Sequence, residues 1–228
     1  MSRRAILIPC LLAATLACGV VRPAFGEELR LRTDKYLLKI DGRTGDHLTL
    51  TDRVAKKPLV ISGGIGWTLS GLKGVLLDSS KVKSGPARAA GTGLAWTWED
   101  AAARVAVALD LTDRDGLGLR IAVTNRRVEP VTEITFPAGI AINQRHFEEL
   151  IVSDHIGIAL SMARWFERGG TLGDGIPYPP AHADLLVARG TGGRPSVSVG
   201  CPHTEPFLTP SQIGYGKTGE HTGSFWHR

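Results

Sequence analysis

Histidine and carboxylate side chains could supply acid–base chemistry in this 228-residue sequence. The seven histidines contain no His-x-x-x-His pair, so a zinc site would need ligands from distant strands. Glu148 and Glu149 are adjacent, and neighbouring strand residues point to opposite faces, which predicts that they do not cooperate. If the chain is an enzyme, His155, His182 and His203 with a glutamate are its acid–base candidates. We expect no metal site and no cofactor.

Aromatic side chains offer a second chemistry, because a flat apolar ring with a polar edge can stack on a sugar ring. Trp96 and Trp98 share one face of a predicted strand, which indicates core positions. Trp165 and Tyr178 border a segment rich in Gly and Pro, which makes them better candidates for binding. The predicted substrate-binding residues are Trp165, Tyr178 and His203.

Two local motifs resemble known sites but lack required residues. Gly214-Tyr215-Gly216-Lys217-Thr218 ends like a phosphate-binding loop, but Ser211 stands where the first glycine belongs. Asp113-Arg114-Asp115-Gly116 resembles part of a calcium loop, but Leu111 and Ala122 occupy its first and last ligand positions. The first motif therefore predicts no nucleotide site, and the second predicts a turn.

The first 26 residues have the pattern of a secretory signal peptide. A positive Ser2-Arg3-Arg4 precedes an apolar run over residues 5–21, and Ala24-Phe25-Gly26 is a small-x-small cleavage site. We expect a secreted protein, periplasmic or extracellular. A lipid anchor at Cys18 is less favoured, because Thr15 stands where a lipoprotein signal has Leu. No apolar run reaches the roughly 20 residues that span a bilayer, so we expect no integral membrane span.

The charge balance argues against a nucleic-acid partner. The chain carries 27 basic and 22 acidic residues, but Arg3, Arg4 and Arg22 lie in the predicted signal. Without them, 24 basic residues face 22 acidic ones, whereas nucleic-acid binding needs a clustered basic surface. We therefore predict that the protein binds no nucleic acid.

Alternation of apolar and polar residues dominates residues 27–203. Val105, Val107, Leu109 and Leu111 share one parity, and the alternation resumes after the Asp-Gly turn signal at Gly116. Two such runs joined by Asp-Gly predict a β-hairpin. Turn signals recur about every ten residues, which favours an all-β, antiparallel β-sandwich.

Residues 153–168 fit two structures. Ile156, Ile158 and Leu160 alternate around Gly157, which favours a strand, but Ile158, Met162 and Trp165 also have helical spacing. We predict a strand, with a helix as the alternative.

The segment 204–228 lacks both periodicities. Its apolar residues are separated by Gly, Pro and Thr, and scattered apolar residues do not offset the entropy of ordering a chain. We predict three regions: a signal peptide at 1–26, a β-sandwich domain at 27–203, and a poorly ordered, protease-sensitive tail at 204–228 that exposes Phe225 and Trp226.

The order of the strand and turn motifs resembles a known family. Lys35-Tyr36-Leu37-Leu38-Lys39-Ile40-Asp41, a Thr44-Gly45 turn and Leu48-Thr49-Leu50-Thr51-Asp52 resemble the first hairpin of a galactose-mutarotase-like β-supersandwich domain. That domain begins secreted glycoside hydrolases of the DUF6259 type. Later segments resemble the same domain in order: Phe136-Pro137, residues 150–160, Tyr178-Pro179-Pro180, Ala183-Asp184-Leu185-Leu186, Gly192-Gly193 and residues 197–203.

The resemblance implies a module without catalytic residues of its own. In such hydrolases a (β/α)₈ barrel of about 250 residues follows and carries the catalytic carboxylates. We expect that this chain lacks the barrel, that its supersandwich is incomplete at the C-terminal end, and that it binds or positions carbohydrate. Two alternatives stay open: a small mutarotase-like epimerase or polysaccharide lyase, and an inactive structural remnant of a truncated hydrolase.

Overall fold

The computed structural model describes residues 28–137, 139–152, 158–166, 176–177, 185–192, 196–200, 212–218, 220 and 222–227. Within these residues nearly all regular structure is β-strand, which confirms the all-β prediction. The strands are β1 (Glu28–Arg32), β2 (Tyr36–Asp41), β3 (Thr49–Asp52), β4 (Lys57–Val60), β5 (Ser62–Gly64), β6 (Thr68–Gly71), β7 (Gly74–Asp78), β8 (Arg88–Ala90), β9 (Gly93–Glu99), β10 (Ala103–Thr112), β11 (Gly116–Asn125), β12 (Glu133–Thr135), β13 (Gly139–Asn143), β14 (Phe147–Val152), β15 (Ile158–Ser161), β16 (Ile176–Pro177), β17 (Leu185–Gly190), β18 (Val197–Gly200), β19 (Gln212–Lys217) and β20 (Thr222–His227).

Two short helical segments interrupt the strands in the described part of the chain. A 3₁₀ turn spans Gln144–His146 and is called the Gln144 turn below. A π-helical turn spans Met162–Phe166 and is called the Met162 turn.

The described strands form five antiparallel sheets of three to five strands. Their orders are β1-β2-β3-β4, β11-β10-β9-β8, β12-β6-β7, β16-β19-β20-β13-β5 and β15-β14-β17-β18. All five contribute side chains to one buried apolar cluster. This division into several small sheets around a shared core is propeller-like, whereas a simple sandwich stacks two broad sheets.

The β10–β11 hairpin confirms the strongest prediction from the alternation. Val105, Val107 and Leu109 are all at most 1% exposed, while residues between them face outward. Gly116 follows the turn with φ of 75°, a left-handed conformation that glycine adopts without a steric penalty. Trp96 and Trp98 on β9 are 1% and 2% exposed, which confirms their assignment to the core.

The hairpin turn also ties two sheets together. The Asp113 carboxylate accepts hydrogen bonds from the backbone N–H groups of Lys35 at 2.7 Å and Asp34 at 3.2 Å, in the turn between β1 and β2. A hydrogen bond with Thr33, followed by these backbone bonds, lowers the pKa of Asp113 below its usual value. The motif is a turn, as predicted, with a structural role for its first carboxylate.

The segment 153–168 contains both predicted structures in succession. β15 ends at Ser161, and the Met162 turn follows directly. The predicted strand is therefore confirmed for Ile158–Ser161, and helical structure is limited to the five residues after it. The Ser161 hydroxyl accepts a hydrogen bond from the Arg164 N–H, so Ser161 caps this turn.

The segment 204–228, predicted to be a poorly ordered tail, contains two strands in its described part, at Gln212–Lys217 and Thr222–His227. β19 and β20 pair with each other, and β20 pairs with β13 in the same sheet. Tyr215 on β19 is 1% exposed and belongs to the core. Glycines on both sides of Tyr215 conceal the alternation, and β13, much earlier in the chain, supplies the pairing edge that scattered apolar residues lack. The side chains of Phe225 and Trp226 lie outside the described set.

The predicted signal peptide also lies outside the described residues. In the part of the chain that the structure describes, no helix is long and apolar enough to cross a membrane.

Candidate functional site

The residues predicted to bind substrate lie largely outside the described part of the chain. Tyr178 and His203 are not among the described residues, nor are His155 and His182. Trp165 is placed by its backbone in the Met162 turn. This turn packs against β14 and against the Gln144 turn, so the backbone at Trp165 lies near those two elements.

A β-bulge in β14 brings two carboxylates to one guanidinium. The pairing of β14 with β17 shifts between Phe147 and Glu149, so Glu148 is the extra residue. Arg189 on β17 forms ion pairs with Glu148, from Nε to Oε1 at 3.1 Å, and with Glu149, from Nη2 to Oε2 at 3.0 Å. The prediction assumed a regular strand, in which these glutamates would point to opposite faces, whereas at the bulge both reach the same guanidinium.

The bulge lies beside the turn that carries Trp165. Glu149 has Arg189 opposite it on β17 and Ser161 opposite it on β15. Ser161 immediately precedes the Met162 turn. The backbone thus places Trp165 close to the Glu148–Glu149–Arg189 cluster, which we call the bulge cluster. About half of the Arg189 side chain and a third of the Glu149 side chain are solvent-exposed, so the cluster is open to ligands.

A buried polar pair lies in the connection on the other side of the bulge. The Gln144 turn joins β13 to β14, and the Gln144 side chain is fully buried. Neither amide atom of Gln144 makes a hydrogen bond of normal geometry within the described structure, although its side chain interacts with the Tyr215 hydroxyl. A buried polar group without such a bond costs about 1–3 kcal/mol. The burial of the Gln144 side chain therefore does not in itself stabilise the fold.

Hydrogen bonds fix the Gln144 turn relative to β17. The Asn143 side chain accepts from the Arg145 N–H at 3.1 Å and caps the start of the turn. The His146 carbonyl accepts from the Thr191 N–H at 3.1 Å, just beyond the end of β17. The turn and the strand that carries Arg189 are therefore held in a defined relation.

The Tyr215 phenol is expected to make stability fall at alkaline pH. Burial raises its pKa to about 12, partly opposed by its interaction with Gln144. An unfolded chain releases this proton near pH 10, so the folded state binds more protons between about pH 10 and 12. The free energy of unfolding should fall by about 2–3 kcal/mol across that window. Urea unfolding at about pH 9 and about pH 11.5 measures the loss.

Tyr215→Phe should remove most of this alkaline loss, because it removes the titrating group. Tyr36→Phe is the matched control, since it removes a half-buried phenol from β2 and should leave the loss in place. An alkaline loss in Tyr215→Phe equal to that of the wild type would contradict the assignment.

The bulge cluster has the chemistry of a hydrogen-bonding surface. Two carboxylates supply acceptors and one guanidinium supplies up to five planar donors, which suits ligands that present adjacent hydroxyl groups. No group of three or more His, Cys, Asp or Glu side chains with the geometry of a metal site occurs among the residues described. Sequence reasoning missed Glu148 and Glu149 as a pair because the bulge depends on the partner strand.

The comparisons with known proteins assign no family. No protein-family model matches the chain, and no curated protein is significantly similar to it.

Proposed function

We propose that this protein is a secreted β-rich module that binds or positions carbohydrate through the bulge cluster and the adjacent turn. The observation that carries the proposal is the bulge in β14, which brings Glu148 and Glu149 to Arg189 next to the turn that contains Trp165. Carboxylates and guanidinium groups hydrogen-bond hydroxyls, and an indole ring can cover the apolar face of a pyranose.

The proposal includes the fold family and the cellular location. The chain is a galactose-mutarotase-like supersandwich domain related to the N-terminal module of DUF6259-type glycoside hydrolases. Support comes from the β2–β3 hairpin, which lies where the resemblance requires the first hairpin, and from the antiparallel strands that follow it. Export rests on the signal-peptide pattern of residues 1–26.

Glycan binding by site variants tests the function. A glycan array identifies candidate oligosaccharides, and titration calorimetry then measures the affinity for the strongest one. Arg189→Ala should weaken binding about 10- to 100-fold, because a hydrogen bond to a charged group contributes roughly 1.5–3 kcal/mol. Trp165→Ala should weaken it by a smaller factor through loss of stacking.

Glu99→Gln is the matched control. It removes a carboxylate from another exposed ion pair, the one between Glu99 and Arg126 near the end of β9, and should leave glycan affinity unchanged. Binding that responds equally to Glu99→Gln and Arg189→Ala would contradict the proposed location. A protein that binds no glycan on the array would favour the structural-remnant alternative.

An enzymatic role is the second candidate, and the paired carboxylates are the observation that favours it. Two carboxylates near one guanidinium could act as acid and base in a mutarotase-like epimerase or a polysaccharide lyase. Polarimetry on reducing sugars, and absorbance of unsaturated products from uronic-acid polymers, measure these two activities. Turnover by the wild-type protein that disappears in Glu149→Gln would show that the protein is an enzyme and would contradict the binding-module proposal.

A further inference from the structure

The outer edge of β11 differs from every other sheet edge in the described structure. β11 has ten residues, whereas each of the other edge strands has five or fewer. No described residue outside β10 makes a backbone hydrogen bond with β11. A ten-residue strand leaves an edge of about 33 Å, and exposed edges of this length are ready templates for pairing with another strand.

Two of the short edges, β1 and β4, also carry features that discourage pairing. β1 has alternating charges at Glu28, Arg30 and Arg32, and β4 begins with Lys57-Pro58. Charged residues and proline at an edge oppose the addition of a further strand. On β11 the only charged residue is Arg120, and its guanidinium pairs with Asp110 on the neighbouring β10. The one charge on the long edge is therefore already neutralised within its own sheet.

The apolar face of β10 continues onto β11, but the apolar side chains of β11 are less completely buried than those of β10. Val107 and Leu109 on β10 are at most 1% exposed, but Ile121 and Leu119, which lie opposite them on β11, are only partly buried. Val123 and Leu117 are partly buried in the same way. A further strand beside β11 would cover the remaining exposed area of this apolar row.

We propose that β11 pairs antiparallel with β11 of a second copy of this chain, forming a dimer with a continuous eight-stranded sheet. A two-fold axis perpendicular to the sheet pairs residues that lie on the same face. A register centred on Ile121 overlaps the strands from Leu117 to Asn125. It places Ile121 opposite Ile121 of the second copy, and Leu119 opposite Val123 of the second copy.

Charge selects this register over the other one with equal overlap. A register centred on Arg120 would place the two Arg120 side chains directly opposite each other, and like charges in that position are destabilising. The register centred on Ile121 instead places Arg120 opposite Ala122 of the second copy. Ala122 is exposed and small, so it leaves room for the guanidinium.

The predicted dimer is weak and concentration-dependent. One strand pair buries less surface than the roughly 800 Å² per partner of a standard stable interface. We expect a dissociation constant on the order of 10–100 μM. Sedimentation velocity from about 1 μM to about 500 μM protein covers this range.

Opposite charges introduced at Ala122 test both the interface and its register. Ala122→Arg places two like-charge pairs across the two-fold axis and should raise the dissociation constant about tenfold, whereas Ala122→Glu should lower it by a similar factor. Ala89→Arg adds the same charge to the exposed opposite edge of this sheet, on β8, and should have no effect. Thermal unfolding followed by circular dichroism confirms that each variant is folded.

Opposite shifts in Ala122→Arg and Ala122→Glu, with an unchanged Ala89→Arg, would support the proposal. A wild-type protein that stays monomeric at about 500 μM would overturn it. So would a dimer whose dissociation constant responds equally to Ala122→Arg and Ala89→Arg, because its interface would then lie elsewhere. A dimer that Ala122→Arg and Ala122→Glu weaken equally would overturn the register.

Discussion

Val107→Asp is expected to unfold the protein or to lower its free energy of unfolding by about 4 kcal/mol or more. Val107 is 1% exposed at the centre of β10, between Trp96 on β9 and Ile121 on β11. No described cation lies in that part of the core, so the carboxylate would be buried without a partner. Native domains are stable by about 5–15 kcal/mol, so this loss removes much of the total.

Arg120→Asp is the matched control on the adjacent strand. The Arg120 side chain is 74% exposed, and its ion pair with Asp110 lies at the surface. Losing that pair and placing a second carboxylate near Asp110 should cost at most about 1 kcal/mol. Urea unfolding followed by tryptophan fluorescence compares the two variants at low micromolar concentration. Equal midpoints would show that the faces of β10 and β11 have been assigned incorrectly.

The β10–β11 hairpin was predictable because the residues that specify it are neighbours in the sequence. One face of β10 is completely buried, so the apolar residues had to alternate along the strand, and Asp115-Gly116 supplied a turn signal between the strands. The same reasoning placed Trp96 and Trp98 in the core. None of these inferences needed knowledge of a distant partner strand.

The candidate site was only partly predictable because it depends on distant pairings. The bulge at Glu148 arises from the way β14 aligns with β17, and nothing in the Glu148-Glu149 dipeptide itself indicates an extra residue. Trp165 was selected because it borders a Gly- and Pro-rich segment, a signal that comes from its neighbours in sequence. Gln144 could not be singled out from the sequence. Its distinguishing feature is complete burial without a hydrogen bond of normal geometry, which only the folded structure shows.

The two C-terminal strands were not predicted from the sequence for a related reason. In β19 the residues between and after Ile213 and Tyr215 are glycines, and in β20 Phe225 and Trp226 are adjacent, so the pair shows no clear period-two alternation of apolar and polar residues. Pairing of β20 with β13 supplies backbone hydrogen bonds that do not depend on side-chain hydrophobicity. Sequence periodicity therefore underestimates strands that join a sheet through glycine-rich backbone.

Gly93→Ala tests how closely two strands of the main sheet approach, and it should destabilise the protein by about 3 kcal/mol or more. A Cβ atom at Gly93 would lie 1.7 Å from the carbonyl oxygen of Leu109 and 2.9 Å from the Cα of Asp110. Both are backbone atoms of β10, so relief of this clash requires β9 to move away from β10, which weakens the hydrogen bonds between the two strands and the packing of Trp96.

Gly118→Ala is the matched control, because Gly118 faces Asp110 from β11 and its Cβ would meet nothing closer than 3.9 Å. Gly118→Ala should change stability by at most about 1 kcal/mol, and an effect as large as that of Gly93→Ala would mean that loss of glycine from the sheet, rather than contact with Leu109, sets the cost.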